Sequence, residues 1–144
     1  MADKVEFELV SPEKLLVSQP VEMVVVPGAE GLFGVLPGHS PMIVTVKAGV
    51  IDIYADNMTD ISRQIFVAGG FCEVTATRVT VLAQEATDVA TIRGLDRADL
   101  ERQISNLRED LETAKTETER KGILAKIDAA ATKLELITGQ PVAH

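Results

Sequence analysis

The character of the sequence changes near Thr87. Seven of the ten glycines, five of the six prolines and most of the valines lie before that point, whereas Ala, Glu, Lys, Arg and Leu dominate after it. Valines with frequent turn residues favour short strands, and the second set of residues favours helices. The change therefore predicts two domains, a β domain over residues 1–86 and a helical domain over residues 87–144.

Short runs of alternating apolar and polar residues mark the first domain. Val5, Phe7 and Leu9 alternate with glutamates, a period of two that is typical of strands with one buried face. Comparable segments, separated by turn residues, lie at 21–26, 42–46, 50–55, 61–67, 71–75 and 79–83. Because no helical period intervenes, this spacing predicts an antiparallel β-sandwich, or a flattened barrel, of about ten short strands. Gly69-Gly70 is predicted to be a turn between two of them.

The second domain has a helical period. Its large aliphatic residues recur at steps of three and four, which places them along one narrow stripe on each of two helices. Asp96 or Asp99 can cap the first helix, Thr116 with Glu119 matches the capping box of the second, and Gly139 ends it. The pattern predicts an antiparallel α-helical hairpin. Its seam is predicted to consist of Leu100, Ile104, Leu107, Leu111, Ile123, Ile127, Leu134 and Ile137.

Composition limits the choice of partners. The net charge is −8, and aromatic residues make up only 3% of the chain. An acidic surface repels nucleic-acid phosphates and anionic lipids, and base stacking needs aromatic side chains. We expect protein partners, no nucleic acid and no membrane insertion, since no apolar run approaches the roughly 20 residues that span a bilayer. The lone Cys72 and the absence of a charged-then-apolar leader predict a cytosolic compartment.

Few residues are suited to catalysis. His39 and His144 are the only histidines, and with one cysteine they supply neither a zinc ligand set nor a nucleophile with its base. His39 lies in a Pro-Gly-His-Ser-Pro segment, where a turn-stabilising imidazole is the ordinary interpretation. His144 is expected to be disordered. We predict no catalytic residue, no metal site and no cofactor.

One segment, Val24 to Pro41, has two interpretations. It places four glycines and three prolines around the apolar run Leu32-Phe33-Gly34-Val35-Leu36. An apolar run so closely flanked by turn residues is either a buried strand or an exposed contact loop. The residue pattern by itself leaves both open.

Three motifs in the order found here resemble a known family. They are G-x-x-G-V-x-P-G-H over Gly31 to His39, Gly69-Gly70-Phe71 with Glu73, and the strand Thr80-Val81-Leu82. Together with the two helices that follow, they resemble the epsilon subunits of bacterial rotary (F-type) ATP synthases, whose mitochondrial counterpart is called delta. The similarity extends from Val5 to Gln140 and includes the order of the two domains.

The resemblance implies a non-catalytic rotor subunit of the central stalk, which couples c-ring rotation to ATP synthesis through gamma. It implies the gamma subunit and the polar loops of the c-ring as partners, and a peripheral location on the cytoplasmic face of the bacterial inner membrane. It also favours an exposed contact loop at the segment left open above, with Val35 and Leu36 in the core. The partner-binding residues it implies are Glu30, Gly31, Leu32, Phe33, Gly34 and His39.

Two departures from the family pattern concern the helices. Nucleotide-binding relatives carry I/L-D-x-x-R-A, and here Asp99 stands where the arginine belongs, so we predict no nucleotide binding. Inhibitory relatives present basic helices to the catalytic head. From Asp88 onward this chain has nine basic and eleven acidic residues. Contact with the alpha and beta subunits through the helices, and inhibition of ATP hydrolysis, are therefore expected to be weak.

Two alternatives remain beside the rotor subunit. One is a β-sandwich ligand-binding module with a coiled-coil dimerisation tag, which would use the apolar stripes between two chains. Such a module would have to build its site from the five aromatic side chains. The other is a small enzyme, for which the sequence offers no nucleophile or metal set.

Overall fold

The computed structural model describes residues 4–142 and 144 and divides the chain into two compact units between Asp88 and Val89. The first unit is a β-sandwich of eight strands. Its strands are β1 Val5–Val10, β2 Leu15–Val21, β3 Met23–Gly28, β4 Gly31–Val35, β5 Met42–Thr45, β6 Gly49–Tyr54, β7 Arg63–Val74 and β8 Arg78–Asp88.

Strand β7 organises the sandwich because it pairs with different strands along its length. Its first part, from Arg63 to Val67, pairs with β6, and its last part, from Phe71 to Val74, pairs with β5. Strand β8 follows β7 on its other side throughout. Between the two parts lie Gly69 and Gly70, whose φ angles of 71° and 113° depart from the extended conformation. The strand order is β2-β1-β8-β7-β6-β3-β4, with β5 attached to β7.

The sandwich is confirmed, and four details of the expectation are corrected. Eight strands are present among the described residues rather than about ten, and Gly69-Gly70 lies inside β7 instead of forming a turn. Strand β2 begins at Leu15, where the sequence shows no strict alternation. The pairing is not wholly antiparallel, because β1 and β8 are parallel. Strands distant in sequence can pair in parallel without a tight turn between them, and a local pattern does not report such a contact.

The core of the sandwich is aliphatic. Phe7, Leu9 and Ile51 are among its largest fully buried side chains, and the rest are mostly valine and isoleucine. Alternation brings these residues to the inner face while their strand neighbours face outward. Burial of each large side chain stabilises the fold by roughly 1.5–3 kcal/mol. The buried cluster consists of Val5, Phe7, Leu9, Val17, Val21, Val24, Val26, Val35, Val46, Ile51, Ile53, Ile65, Val67, Cys72, Val74, Val79, Val81 and Ala83.

The second unit contains three helices, α1 Val89–Arg93, α2 Arg97–Thr113 and α3 Glu117–Thr138. The predicted caps are confirmed. Asp96 accepts a hydrogen bond from the Ala98 N–H, Thr116 accepts one from the Glu119 N–H, and Gly139 adopts the left-handed conformation after α3. Helix α1 was not expected, because five residues are too short to show a helical period.

The seam between α2 and α3 is shorter than the sequence implies. Leu100, Ile104 and Leu134 are buried together with Ala130 and Ala131. Because the start of α2 meets the end of α3, the two helices are antiparallel. Of the other predicted seam residues, Ile127 is buried, Ile137 packs against the cluster while half-buried, and Leu107, Leu111 and Ile123 are half-buried.

His144, for which the sequence analysis expects disorder, lies against α3 in the structure. Its imidazole contacts Asp128 and Glu135 of α3, and the Val142 N–H donates to Glu135 at 3.2 Å. Residue 143 lies outside the described residues. The carboxylates that hold the imidazole are 16 and 9 residues away in sequence, so no local pattern indicated the contact.

The last residue of the first unit is held by a two-point ion pair. Arg63 Nε lies 2.8 Å from Asp88 Oδ1, and its terminal nitrogen lies 2.9 Å from Oδ2. Hydrogen bonding by Arg63 holds the pKa of the Asp88 carboxyl below its usual range, against partial burial that acts the other way. Both side chains are more than one-third exposed, so solvent screens the attraction.

This pair predicts a specific dependence of stability on pH. Since the folded pKa of Asp88 lies below the unfolded value of about 3.9, the pair stabilises the fold above that pH and the contribution disappears as the pH falls further. We expect Asp88→Asn to reduce the free energy of unfolding at pH 7 by about 0.5 kcal/mol. Urea titrations measure the free energies of unfolding, and those of Asp88→Asn and the unmodified chain should become equal near pH 2. The matched control is Glu13→Gln, which also removes an exposed carboxylate. Its difference from the unmodified chain should not shrink in this way as the pH falls. A difference that persists in acid would contradict the prediction.

Candidate functional site

One end of the sandwich carries a groove that brings most of the predicted partner-binding residues together. The turn Ala29-Glu30 joins β3 to β4, and the Ala29 N–H donates to the Thr45 carbonyl at 2.9 Å. This contact holds the turn against β5 and leaves an open groove of about 510 Å³. We call it the tip groove, and its lining is Gly28 to Phe33 and Met42 to Thr45.

The apolar run in this region is a strand, and its residues alternate between the two faces. Leu32 is 70% exposed beside the tip groove, whereas Phe33 is half-buried and packs against the core cluster. Val35 is fully buried, as expected, but Leu36 is 43% exposed, so the expected core pair is wrong for Leu36. Leu36 follows the end of β4 and begins a turn, which removes it from the alternation. Both earlier interpretations are thus partly right, because one edge strand is buried on one face and exposed on the other.

Gly34 and His39 lie outside the tip groove. Gly34 is in β4, opposite Val25 of β3. His39 closes a turn in which its N–H donates to the Leu36 carbonyl at 3.2 Å, and its Nδ1 donates to the Ser40 carbonyl at 2.7 Å. The preceding Gly38 bonds to the carbonyl of Ala76, in the turn between β7 and β8. The structure therefore separates His39 from Glu30, Gly31, Leu32 and Phe33.

A second surface, which the sequence analysis did not single out, is more apolar. Val10 pairs with Leu15 of β2 and with Leu82 of β8, and Leu82 pairs with Phe71 of β7. Residues directly opposite each other share one face of a sheet, so these four form a continuous row across four strands. We call it the outer apolar row. Leu15, Phe71 and Leu82 are each more than half exposed, and Val10, Phe71 and Leu82 also line a shallow depression of about 470 Å³.

A signal for the outer apolar row was present in the sequence. In β8 the outward positions Thr80 and Gln84 are polar, whereas Leu82 between them is apolar. In β7 the outward Phe71 precedes the outward Glu73 in the same way. Apolar residues at outward strand positions are informative when several are adjacent, because single exposed ones are common. Whether apolar residues on different strands are neighbours depends on which strands pair, and only the structure shows this pairing.

The beginning of α2 carries the residues that bear on nucleotide binding. Asp99 lies in the first turn of the helix and forms an exposed ion pair with Arg102 at 3.0 Å. An open cavity of about 430 Å³ beside it is lined by Asp96, Asp99, Arg102 and Lys133 among other residues. Asp96 and Asp99 would repel a phosphate group, whereas Arg102 and Lys133 would attract one, so the lining has no excess of positive charge.

The described residues offer little for catalysis. Burial raises the pKa of the Cys72 thiol to about 12, so this cysteine stays neutral and shielded in the core. Among residues 4–142 and 144, no cluster of three or more potential ligands is arranged to hold a metal ion. The exposed surfaces of the sandwich are better suited to contact with another protein than to chemistry.

Comparison with known proteins identifies the family of this chain. Residues 4–89 match the β-sandwich domain of the ATP synthase delta/epsilon chain, and residues 96–144 match the C-terminal domain of the ATP synthase epsilon chain. The chain therefore belongs to the ATP synthase epsilon chain family. The two matched segments agree with the resemblance seen in the sequence motifs, and they cover both units.

Individual relatives support the assignment to the epsilon family over the full length. The ATP synthase epsilon chain of Rhodospirillum centenum is 64% identical over 140 residues, which is 97% of this chain and 96% of that protein. The epsilon chain of Maricaulis maris is 46% identical over 132 residues, covering 90% and 95%.

Solved structures share the fold at low sequence identity. A chain of the Euglena gracilis mitochondrial ATP synthase (OSCP, F1 and c-ring) superposes with a TM-score of 0.70 at 19% identity, over 92% of this chain and 79% of that chain. A chain from the central stalk and c-ring of the Tetrahymena thermophila enzyme gives 0.65 at 12% identity, over 94% and 97%. Within the described residues, none of the helices is both long enough and apolar enough to cross a membrane.

Proposed function

We propose that this epsilon-family chain is a non-catalytic rotor subunit of a proton-translocating ATP synthase, which couples rotation of the c-ring to ATP synthesis through gamma. Membership of the epsilon family supports the proposal that the chain is part of an ATP synthase complex. The outer apolar row is the single observation that most supports docking, since three exposed large apolar side chains on one rigid sheet form a surface suited to a protein partner. The proposal places the chain on the cytoplasmic face of the inner membrane as a peripheral subunit.

The two surfaces of the sandwich suit different partners. The outer apolar row consists of three aliphatic side chains and Phe71 beside a shallow depression, which favours a well-packed contact with a folded subunit, and we assign it to gamma. The tip groove combines the exposed Leu32 with the charge of Glu30 and the backbone of the turn. This mixture favours a smaller contact with polar loops, and we assign the groove to the c-ring. Gly34 and His39 remain predicted contact residues at neighbouring positions of β4 and its following turn.

The helical unit has a smaller part in this proposal. Its charges do not form a basic surface, so any inhibition of ATP hydrolysis through alpha and beta is proposed to be weak. Asp99 and Asp96 line the cavity beside α2, and we propose that no nucleotide binds there. The coiled-coil alternative is less favoured than before, because Leu100, Ile104 and Leu134 are already buried within one chain.

A pull-down from membranes tests the proposal. We expect the tagged chain to recover gamma and the c-ring, and Leu32→Asp to reduce recovery of the c-ring about tenfold while gamma is retained. Leu32 is a better position than Phe33, because a charge at the half-buried Phe33 would also destabilise the core. Quantitative mass spectrometry of the eluates measures both partners.

Leu124→Asp is the matched control, since Leu124 is an exposed leucine of the helical unit. It should leave both recoveries unchanged. Recovery of neither partner by the unmodified chain would contradict the rotor role, whereas an unaffected c-ring in Leu32→Asp would contradict only the assignment of the tip groove.

A further inference from the structure

The end of the helical unit contains a charged contact that the proposed function does not use. His144 lies between two carboxylates of α3, with its Nδ1 against Asp128 and its Nε2 2.6 Å from Glu135 Oε1. Asp128 and Glu135 are seven residues apart, which is about two turns, so they share one face of the helix. Both ring nitrogens are thus occupied by carboxylate oxygens.

Val142 makes a second contact with the same part of α3. Its N–H donates to Glu135 Oε1, the oxygen that also accepts from His144, and its side chain packs against the cluster between α2 and α3. The left-handed Gly139, with φ of 71°, turns the chain back at the end of α3. Asp128 lies ten residues before Thr138, about 15 Å along the helix, which is within the reach of about 20 Å of the six residues after Thr138.

The protonation state of the imidazole decides whether both carboxylates can be held. An imidazolium has two N–H donors, whereas a neutral imidazole has one donor and one lone pair. Partial burial lowers the pKa of His144, but the hydrogen bonds that its ring donates to Glu135 and Asp128 outweigh this effect and raise the pKa above the usual value. These two carboxylates, both on α3, are the charged groups that act on the ring. After loss of the proton, one of them faces a lone pair, which repels it.

We propose that Val142 and His144 form a pH-sensitive latch, closed onto Asp128 and Glu135 by the protonated imidazole and released as the pH rises. Because the folded pKa exceeds the unfolded one, the latch stabilises the helical pair fully below the unfolded pKa and loses that contribution as the pH rises through the folded value. Val142 packs against the buried cluster between α2 and α3, so release would remove that contact from the cluster.

An NMR titration of the full chain tests the charge contact. The two histidine ring signals are assigned with His144→Asn and His39→Asn. In the double variant Asp128→Asn, Glu135→Gln, the titration midpoint of His144 should move to lower pH. Glu109→Gln, which removes a carboxylate from α2, should leave the midpoint unchanged. An unchanged midpoint in the double variant would overturn the proposal.

Methyl relaxation of Val142 tests whether the charge controls the latch. In the unmodified chain, the fraction of molecules with Val142 and His144 released should rise about three- to tenfold as the pH passes the titration midpoint of His144. The net free energy of one ordinary hydrogen bond changes an equilibrium by about this factor. In His144→Asn the Val142 methyl groups should be mobile at every pH. If Val142 stays rigid above the midpoint, or is equally rigid in His144→Asn, then packing alone holds the segment and the proposed switch is wrong.

Discussion

Replacing Phe71 and Leu82 together by threonine is expected to weaken association with gamma by about 100-fold or more. These two side chains form the centre of the outer apolar row, are 57% and 53% exposed, and pair directly across β7 and β8. Two central apolar anchors at about 1.5–2 kcal/mol each account for a factor of this size. This result would follow from the proposed docking of the row on gamma. Surface plasmon resonance with purified gamma measures the affinity.

Threonine is chosen because it separates binding from folding. A β-branched residue retains strand preference, and the outward positions are not part of the buried core, so the sandwich should remain folded. The matched control is Met58→Thr with Ile61→Thr, two exposed apolar residues in the loop between β6 and β7. That variant should bind as the unmodified chain does. Equal losses in both variants would indicate a general effect of surface hydrophobicity, and no loss in either would exclude the outer apolar row as the gamma surface.

Gly70→Ala is expected to destabilise the sandwich by about 4 kcal/mol or more, which few single substitutions reach. Gly70 has a φ of 113°, where a side chain is strained, and an added Cβ would lie 1.8 Å from the Leu82 carbonyl oxygen. That oxygen belongs to the neighbouring strand, so β7 and β8 would have to separate where the two groups of strand pairings meet. Urea unfolding followed by circular dichroism measures the change.

Two further glycines provide a graded comparison. At Gly69 an added Cβ would meet the far end of the flexible Gln84 side chain, so Gly69→Ala should be destabilising by about 1–2 kcal/mol, mainly through its positive φ. At Gly122, inside α3, no atom lies within 4 Å of the added Cβ, and Gly122→Ala should stabilise by about 0.5–1 kcal/mol. A cost at Gly70 no greater than at Gly69 would show that the strands adjust easily.

The comparison of strands shows why some expectations succeeded. Segments such as Val5–Val10 and Gly49–Tyr54 were predicted almost to the residue because each buries alternate side chains. The extension of β8 to Asp88 was missed, since its last residues are mostly polar and half-buried. They are held by pairing with β7, between residues 17 to 23 apart in sequence, and by the ion pair of Asp88 with Arg63, which are 25 apart. A local pattern contains no information about such partners.

The candidate docking surfaces divide in the same way. Part of the tip groove, Glu30 to Phe33, was singled out from the sequence because these residues are consecutive and flanked by turn glycines, whereas its other side, Met42 to Thr45, was not. The outer apolar row was not, because Val10, Leu15, Phe71 and Leu82 come from four strands. Likewise, the position of His144 depends on a chain reversal at Gly139 that brings it back to Asp128.

Sequence by itself determined the fold class, the helix caps and the family, because each depends on residue type at short and regular spacing. Only the tertiary structure decided which way Leu32 and Phe33 face, which exposed apolar residues adjoin, and what holds His144. These features depend on strand register and on contacts between distant residues. Register is set by the packing of the whole core, and a shift by one residue would exchange the buried and exposed faces of every strand.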